Sequence, residues 1–343
     1  MKVIAKKIVN RLRKGKESLL SISDLKKAAD IKSDGNRVYS FYNWFVADDN
    51  YKENFPFTKL LGEKNNWKYC KAKPELLYFS VFGKRKIIEK SKAEYKIFFT
   101  GEDTEVRFTD YKNNAIDIAD ISLGFLPKTI MEERYGKDIC KNYIRYPLWL
   151  LYYFACMLDK DNIHRIVKEF NERKFQKTKF ASLVASHDDF GIRKELVGML
   201  SSIDSVCCAG KFMHNDDDLY MKFNDDKVKY LSQFKFNICP ENVSTPGYTT
   251  EKIFQSFAAG CIPIYYGGAG CKIEEGVINN ESIILYKDDK SNGEEIINIV
   301  AELNNNEKLY NDFISKPFLL DSSVDWIYNK NKELSSLLNG TIK

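Results

Sequence analysis

The sequence predicts an α/β protein of two domains that face a cleft. The chain has 343 residues, a length that favours two domains over one. Apolar, strand-like runs separated by longer polar or helical stretches are typical of parallel sheets. Two such series are divided by the charged segment Asp159–Lys179. Because this segment shows no sustained apolar face, it predicts the domain boundary.

The composition is that of a soluble globular protein. Hydrophobic residues make up 44% of the chain and charged residues 29%, which is enough apolar material for a large core. The net charge of +5 is too small to indicate a nucleic-acid partner. The longest apolar run, Leu148–Leu158, is too short to span a bilayer of about 30 Å. We therefore expect a buried helix there.

The eight cysteines show no CxxC pair and no matched histidine spacing, which argues against a zinc site. They predict reduced core residues of a cytoplasmic protein. The segment Met1–Lys16 carries seven Lys or Arg and no acid, with Ile4, Ile8 and Leu12 at helical spacing. It predicts either a basic amphipathic helix on the inner, anionic face of a membrane or a solvated basic extension. It lacks the uninterrupted apolar stretch of a secretory signal.

Strand-like runs open the first series after a polar stretch. The four runs are Arg37–Phe45, Glu75–Gly83, Tyr95–Asp103 and Asp120–Phe125. The third ends abruptly in Thr-Gly-Glu-Asp, which predicts acidic side chains at the end of a buried strand.

The second series leads to the most informative stretch of the chain. Its predicted elements are the strands Phe180–Ser186 and Val206–Gly210, the helix Ile192–Ile203, the strand "FKFNIC", and later "SIILY" and "EEIINIVAELN". After "FKFNIC" and the loop "PENVSTPG", Thr249 or Thr250 is expected to cap a helix. That helix has an apolar face at helical spacing and Gly260 at its C′ position, and "IPIYY" is the next buried strand.

Glu251 and Lys252 then lie in the first turn of that helix, at the carboxyl end of a strand, where open α/β sheets bind ligands. A lysine is unfavourable there because the helix dipole is positive. Lys252 would repel the dipole in an empty site but would reinforce it around a bound phosphate or diphosphate. The alternative is that Lys252 extends into solvent and Glu251 is an ordinary first-turn acid.

The stretch "FKFNICPENVSTPGYTTEKIFQSFAAGCIPIYYGG" closely resembles the signature of the α-1,3/4-fucosyltransferases, glycosyltransferase family ten. That signature contains Phe-x-x-Glu-Asn, then Gly-Tyr-x-Thr-Glu-Lys, then Ile-Pro-Ile-Tyr-x-Gly. Pro240 departs from it, since many members have Phe there. "FFTGEDT", "ISLGF", "YIRYPLWLLYY" and "FASLVASHDDFGIRKEL" resemble further family segments, so the resemblance runs from about Phe98 to Gly268.

The resemblance implies the GT-B architecture of two Rossmann-like domains around a cleft. Residues 1–36 would be a basic extension, residues 37–165 the acceptor-binding domain, and residues 166–343 the GDP-fucose-binding domain with C-terminal helices. It also implies an inverting transfer of L-fucose from GDP-fucose to a hydroxyl of an oligosaccharide or glycolipid acceptor, O3 or O4 of a GlcNAc-type residue. The resemblance further implies that no metal is required, because GT-B enzymes generally let protein cations serve the diphosphate.

The resemblance also implies site residues. Glu102 matches the family's base, with the adjacent Asp103 pointing elsewhere. Arg193 and Lys252 would bind the diphosphate, and Asn242, Tyr248 and Glu251 would contact the nucleotide or fucose. Read without the resemblance, Glu102 is a solvated turn acid and Arg193 a surface arginine. The role of Glu241 stays open, and His187 is expected to be a donor-loop or surface residue.

Two other interpretations remain. One is a GT-B enzyme that uses another sugar nucleotide and keeps Lys252 and Arg193. The other is a non-catalytic glycan-binding relative, which loss of Glu102 or Lys252 would have favoured. Both residues are present.

Overall fold

The computed structural model describes residues 21–44, 49–62, 66–109 and 115–343. The basic segment Met1–Lys16 lies outside these ranges. No helix in the described ranges is long and apolar enough to cross a membrane.

The first half of the chain folds around a six-stranded parallel sheet of order β2-β1-β3-β4-β5-β6. Its strands are β1 Arg37–Tyr42, β2 Trp67–Tyr69, β3 Leu76–Phe79, β4 Tyr95–Phe99, β5 Ile121–Gly124 and β6 Tyr143–Arg145. The helices are α1 Ile22–Ser33, α2 Asp49–Glu53, α3 Pro56–Lys59, α4 Arg85–Lys90, α5 Lys128–Tyr135 and α6 Leu148–Tyr153. A 3₁₀ turn spans Ile116–Ile118.

The second half folds around a five-stranded parallel sheet of order β11-β10-β9-β7-β8. Its strands are β7 Lys179–Leu183, β8 Val206–Cys208, β9 Phe234–Ile238, β10 Ile262–Tyr265 and β11 Ile284–Leu285. The helices from α7 onward are α7 Lys160–Glu172, α8 Ile192–Ser201, α9 Asp218–Met221, α10 Lys227–Leu231, α11 Glu251–Ala258, α12 Gly293–Asn305, α13 Glu307–Ile314 and α14 Ser323–Thr341. Because both sheets are parallel, the carboxyl ends of the strands of each sheet lie together at one edge of that sheet.

The predicted strands are present but shorter than their apolar runs. The run Glu75–Gly83 contributes only Leu76–Phe79, and Tyr95–Asp103 only Tyr95–Phe99. The residues that follow each strand form the loops of the carboxyl edge. The expected buried helix at Leu148–Leu158 ends at Tyr153.

The expectation for Asp159–Lys179 was wrong in one respect. The segment contains helix α7, whose Ile163, Val167 and Phe170 are buried. These three residues recur at the spacing of one helix face, between charged residues that face water. Helix α7 packs against α14, so this part of the segment is an ordered helix of the core.

The terminal helix α14 lies on the first half of the chain. Buried Asn331 accepts a hydrogen bond from the Tyr146 hydroxyl (2.7 Å) and donates to the carbonyl oxygens of Phe154 (2.8 Å) and Met157 (3.0 Å). Asn339 donates to the Leu60 carbonyl at 2.8 Å. The proposed division at residues 165/166 stays a prediction, and the chain crosses back over it here.

Polar contacts join the two halves beside the cleft. Arg145 forms a two-pronged ion pair with Glu274, at 2.6 and 3.1 Å, and donates to the Gly247 carbonyl at 3.0 Å. Gly247 has φ +73°, and a Cβ there would lie 2.6 Å from the Phe125 carbonyl oxygen. This position therefore requires glycine.

The cysteines are all free. Most are buried or half-buried, as expected for core residues, but Cys271 is exposed. Within the residues that the structure describes, no group of three or more His, Cys, Asp or Glu side chains is placed to hold a metal ion.

Candidate functional site

A polar cavity of about 240 Å³ opens at the carboxyl edge of the second sheet. Its walls come from the loop after β7, the end of β9 and the first turns of α8, α10 and α11. The lining residues that matter for its chemistry are His187, Arg193, Lys227, Asn242, Glu251 and Lys252. Four of the five residues predicted to bind a donor therefore surround one cavity, and Tyr248 lies outside its lining.

The helix that begins at Glu251 forms as predicted, with one exception at its cap. Its apolar residues are buried, and Gly260 follows with φ +59°, the left-handed C′ conformation. Thr250 is the N-cap residue, but its side chain makes no capping bond. The expected threonine cap was wrong because the Thr250 hydroxyl and its backbone N–H both donate to Glu241, at 2.8 and 2.7 Å.

Glu241 also pairs with Lys252. The Lys252 ammonium donates to Glu241 Oε2 at 2.9 Å and to the Thr250 hydroxyl oxygen at 2.8 Å. The Glu241 side chain is fully buried, whereas that of Lys252 is 26% exposed. An anion thus already stands at the positive end of α11. The expectation that Lys252 repels the dipole in an empty site was incomplete, because it left out Glu241.

The carboxylates of Glu241 and Glu251 favour the charged form of Lys252. Burial alone would lower the pKa of Lys252, but the charges of Glu241 and Glu251 outweigh it and raise the pKa above the usual lysine value. Lys252 therefore stays a cation at neutral pH even though a second cation, Arg193, lies nearby and opposes it.

Arg193 is the second residue of α8 and faces the cavity. Its guanidinium donates to the His187 carbonyl (2.5 Å) and to Asn242 Oδ1 (2.7 Å). Burial lowers the pKa of Arg193, although the carboxylates around it, with Asp188 foremost, oppose that shift. A guanidinium has five N–H donors, so this one retains donors for an anionic ligand. The contact with Asn242 also places two residues side by side that were both predicted to bind the donor.

Tyr248 and Glu251 are placed differently. The Tyr248 ring is buried against Phe125 of the first half, with centroids 4.9 Å apart. Burial raises the pKa of Tyr248, and the carboxylates of Glu241 and Glu102 add to the shift. Tyr248 therefore lies within electrostatic range of both acids. Glu251 lines the cavity, and its carboxylate has no hydrogen bond to any residue that the structure describes.

Glu102 lies in the loop after β4, at the carboxyl edge of the first sheet. Its carboxylate is partly exposed and has no hydrogen-bond or ion-pair partner in the described part of the chain. Asp103, next to it, is fully buried. The Asp103 carboxylate accepts from the backbone N–H groups of Glu105 (2.8 Å) and Val106 (2.6 Å) and from the Thr245 hydroxyl (2.9 Å). Asp103 thus points elsewhere, as expected, and ties this loop to the second half.

Sequence reasoning missed three features of the site. The pairing of Glu241 with Lys252 could have been suspected, because Glu241 lies in the loop that leads into the helix of Lys252. Lys227 lines the cavity and has no ion pair or hydrogen bond with the described residues, but no motif marked it. The Arg145–Glu274 pair joins residues 129 positions apart, which no local pattern can reveal.

A model of a known protein family matches the part of the chain that forms this cavity. Residues 174–318 match the C-terminal domain of glycosyltransferase family 10 (fucosyltransferase). This part of the chain is therefore similar to a glycosyltransferase family 10 domain. The matched range contains every residue of the cavity named above, and it confirms the resemblance drawn from the sequence.

Named relatives are similar to parts of the chain. The chain is 33% identical over 136 residues to the Alpha-(1,3)-fucosyltransferase FucT of Helicobacter pylori, covering 39% of the chain and 27% of that protein. It is 35% identical over 97 residues to Alpha-(1,3)-fucosyltransferase B of Drosophila melanogaster, covering 28% of the chain and 21% of that protein. The chain thus spans about a quarter of the length of these relatives.

Solved structures extend the likeness in fold over most of the chain. A crystal structure of an α1,3-fucosyltransferase superposes with a TM-score of 0.59 at 23% identity, covering 89% of this chain and 92% of the other. HepE of Anabaena, solved with UDP and glucose, superposes with a TM-score of 0.50 at 9% identity, covering 89% of this chain and 100% of the other. These likenesses establish the fold, and they confirm the predicted GT-B architecture.

Proposed function

We propose that the chain is a fucosyltransferase that uses GDP-fucose as donor. The observation that carries the proposal is the convergence of Arg193, Asn242, Glu251 and Lys252 on one cavity within the family 10 domain. An α1,3-fucosyltransferase of the same fold has been solved with GDP-fucose, which supports this donor. A cavity lined by two cations and by a carboxylate that has no hydrogen-bond partner among the described residues suits a diphosphate joined to a sugar.

In this proposal the cations serve the leaving group. Negative charge develops on the diphosphate as the bond to the sugar breaks, and preorganised donors stabilise it. Lys252 and Arg193 would supply those donors together with the start of α11. Glu251 would accept hydrogen bonds from sugar hydroxyls, and Asn242 would hold the Arg193 fork. Because protein cations fill the role, we propose that no metal is required.

Glu102 would be the general base of an inverting displacement. An acceptor hydroxyl must lose its proton as it attacks the anomeric carbon opposite the departing diphosphate. A general base must be free to accept that proton. The Glu102 carboxylate has no hydrogen-bond or ion-pair partner among the described residues, while both carboxylate oxygens of Asp103 accept hydrogen bonds. We propose that the acceptor is an oligosaccharide or glycolipid and that fucose goes to O3 or O4 of a GlcNAc-type residue.

The donor test is calorimetry with GDP and UDP, followed by turnover of GDP-fucose with a panel of N-acetyllactosamine-type acceptors, with and without a metal chelator. We expect GDP to bind much more tightly than UDP and turnover to survive the chelator. Equal binding of UDP would indicate another sugar nucleotide. Tight GDP binding with no turnover on any acceptor would favour a non-catalytic relative, and loss of turnover in chelator would refute the metal-free proposal.

We also propose that the basic segment Met1–Lys16 docks on anionic membrane, which would hold the enzyme at the cytoplasmic face near a lipid-linked acceptor. Each Lys or Arg near such a surface contributes about 1 kcal/mol. Deleting residues 1–16 should abolish flotation with phosphatidylserine liposomes while turnover on a soluble acceptor is unchanged. Flotation that survives the deletion, or a full-length chain that does not float, would contradict this.

A further inference from the structure

Glu241 is an acidic side chain that is buried close to the proposed donor cavity. Its side chain is fully buried, and it does not line the cavity. Four donors reach its carboxylate: the Thr250 N–H, the Thr250 hydroxyl, the Lys252 ammonium and the Tyr265 hydroxyl, the last at 3.1 Å. A carboxylate offers about four acceptor positions. Glu241 is therefore saturated by protein groups and cannot touch a ligand.

Lys252 connects this buried carboxylate to the cavity. Its ammonium has three N–H donors, of which one goes to Glu241 and one to the Thr250 hydroxyl. One donor remains, on a side chain that lines the cavity. Two fixed contacts on one ammonium leave it little rotational freedom, so the third donor is held in a defined direction.

We propose that Glu241 is a positioning residue, which acts through Lys252 by holding its ammonium charged and oriented toward the diphosphate of the donor. The inference rests on the proposed function, since it assumes that Lys252 binds a diphosphate. Glu241 contributes no contact of its own to the ligand. Its effect is that Lys252 is already ordered when the donor arrives, so that binding does not bear the entropy of ordering it.

If Glu241 keeps Lys252 charged, the effect of removing Glu241 on GDP binding depends on pH. A purely structural role would give no such pH dependence. Glu241 and Glu251 raise the pKa of Lys252 above its ordinary value of 10.5. The ammonium is thus fully charged below that pH and loses its proton only as the pH rises past the raised value. When Glu241 is neutralised, burial and Arg193 act with less opposition, and the charge is lost at lower pH.

The test is GDP calorimetry on the full chain and its Glu241→Gln variant, near pH 7 and about pH 9. We expect Glu241→Gln to weaken GDP binding about tenfold near pH 7 and by more at the higher pH. Any change in the ionisation of GDP between the two pH values affects the binding to both proteins equally. In a Lys252→Met background, Glu241→Gln should change the affinity by less than about twofold, because the two residues act as one unit.

Glu195 provides a matched control. Like Glu241, it pairs with a lysine and a tyrosine, Lys290 and Tyr286, both at 2.6 Å, but neither of them lines the cavity. Glu195→Gln should leave GDP affinity within about twofold of the parent. An equal loss from Glu241→Gln in both backgrounds, or a loss that does not grow with pH, would overturn the positioning role.

Two further outcomes separate this inference from the proposed function. If the unmodified chain does not bind GDP, both are overturned. If it binds GDP and Glu241→Gln binds equally well, only the role of Glu241 is overturned. Should Glu241→Gln fail to fold, NMR titration of the Lys252 side chain in the unmodified chain decides. A midpoint above 10.5 supports the inference, and a lower one refutes it.

Discussion

At the scale of single residues, two neighbouring acids in the loop after β4 have opposite surroundings. Asp103 is buried and saturated by two backbone N–H groups and the Thr245 hydroxyl. The Glu102 carboxylate has no hydrogen-bond or ion-pair partner among the described residues. We therefore expect Asp103 to stabilise the fold and Glu102 to act in the proposed reaction, and experiment can separate the two roles.

Glu102→Gln keeps the size and hydrogen bonding of the side chain but removes the proton acceptor. General base catalysis contributes typically 10²–10⁴-fold in rate, so we expect kcat to fall by about two or more orders of magnitude with GDP affinity unchanged. Asp103→Asn is the matched variant. It should lower the free energy of unfolding by about 1–3 kcal/mol. Near-parental kcat in Glu102→Gln would mean that another group is the base.

Lys252→Ala should weaken GDP binding by about 1.5–3 kcal/mol, the worth of a hydrogen bond from a charged donor. It should also reduce stability, because the buried Glu241 carboxylate loses its cation. Lys290→Ala, which removes the cation from half-exposed Glu195, serves as control and should leave GDP binding as it was. Equal GDP affinities in calorimetry of Lys252→Ala and the parent would remove Lys252 from the diphosphate site.

The reach of sequence reasoning is visible in these same residues. Helix α11 was predictable because its apolar face and Gly260 are local patterns. Glu102 and Arg193 were chosen as candidates through the family pattern alone, since an acid in a turn or an arginine in a helix is otherwise ordinary. Thr250 was assigned as a cap because short-range rules cannot include Glu241, which takes its hydroxyl. Burial of Glu241 depends on the fold of the whole loop.

At the scale of elements, helix α14 anchors the end of the chain on the first sheet. Buried Asn331 satisfies the carbonyls of Phe154 and Met157 and the hydroxyl of Tyr146. The loop after α6, where Cys156 has φ +60°, would otherwise carry unpaired buried groups. The side chain of one residue in α14 thus stabilises the loop that leads from the first half to helix α7.

Asn331→Ala should therefore destabilise the protein by at least about 2 kcal/mol, because each buried polar group left unpaired costs about 1–3 kcal/mol. Asn339→Ala, on the same helix but at an exposed position, should cost about 1 kcal/mol or less. Urea denaturation followed by circular dichroism measures both. Similar midpoints for the two variants would show that the Asn331 network contributes little.

At the scale of the whole molecule, the Arg145–Glu274 pair links the two halves beside the cleft. The Glu274 side chain is 1% exposed and that of Arg145 18%. Burial alone would lower the pKa of Arg145, but the Glu274 charge outweighs it and raises the pKa. Arg107 and Asp189 form a second, more exposed ion pair between the halves at 3.0 Å. Exposed pairs contribute little, so the buried pair is the more important of these two ion pairs.

Glu274→Ala should destabilise the protein by about 3–5 kcal/mol, because it leaves a buried guanidinium without its anion. The double variant Arg145→Met/Glu274→Leu should recover part of that loss, since it buries no unpaired charge. Asp189→Ala, which breaks the exposed pair, is the control and should cost less than about 1 kcal/mol. Thermal unfolding of the four proteins tests this, and equal losses from Glu274→Ala and Asp189→Ala would contradict it.

The loop between β9 and α11 has a consequence for engineering by recombination. It belongs to the second half of the chain by sequence, yet Thr245, Gly247 and Tyr248 contact Asp103, Arg145 and Phe125 of the first half. A chimera that takes its halves from two relatives would set a loop shaped for one surface against another. A junction between the two parent sequences should therefore not separate this loop or α14 from the first half. Both would have to travel with the first half, so the exchangeable module is smaller than the C-terminal half of the chain.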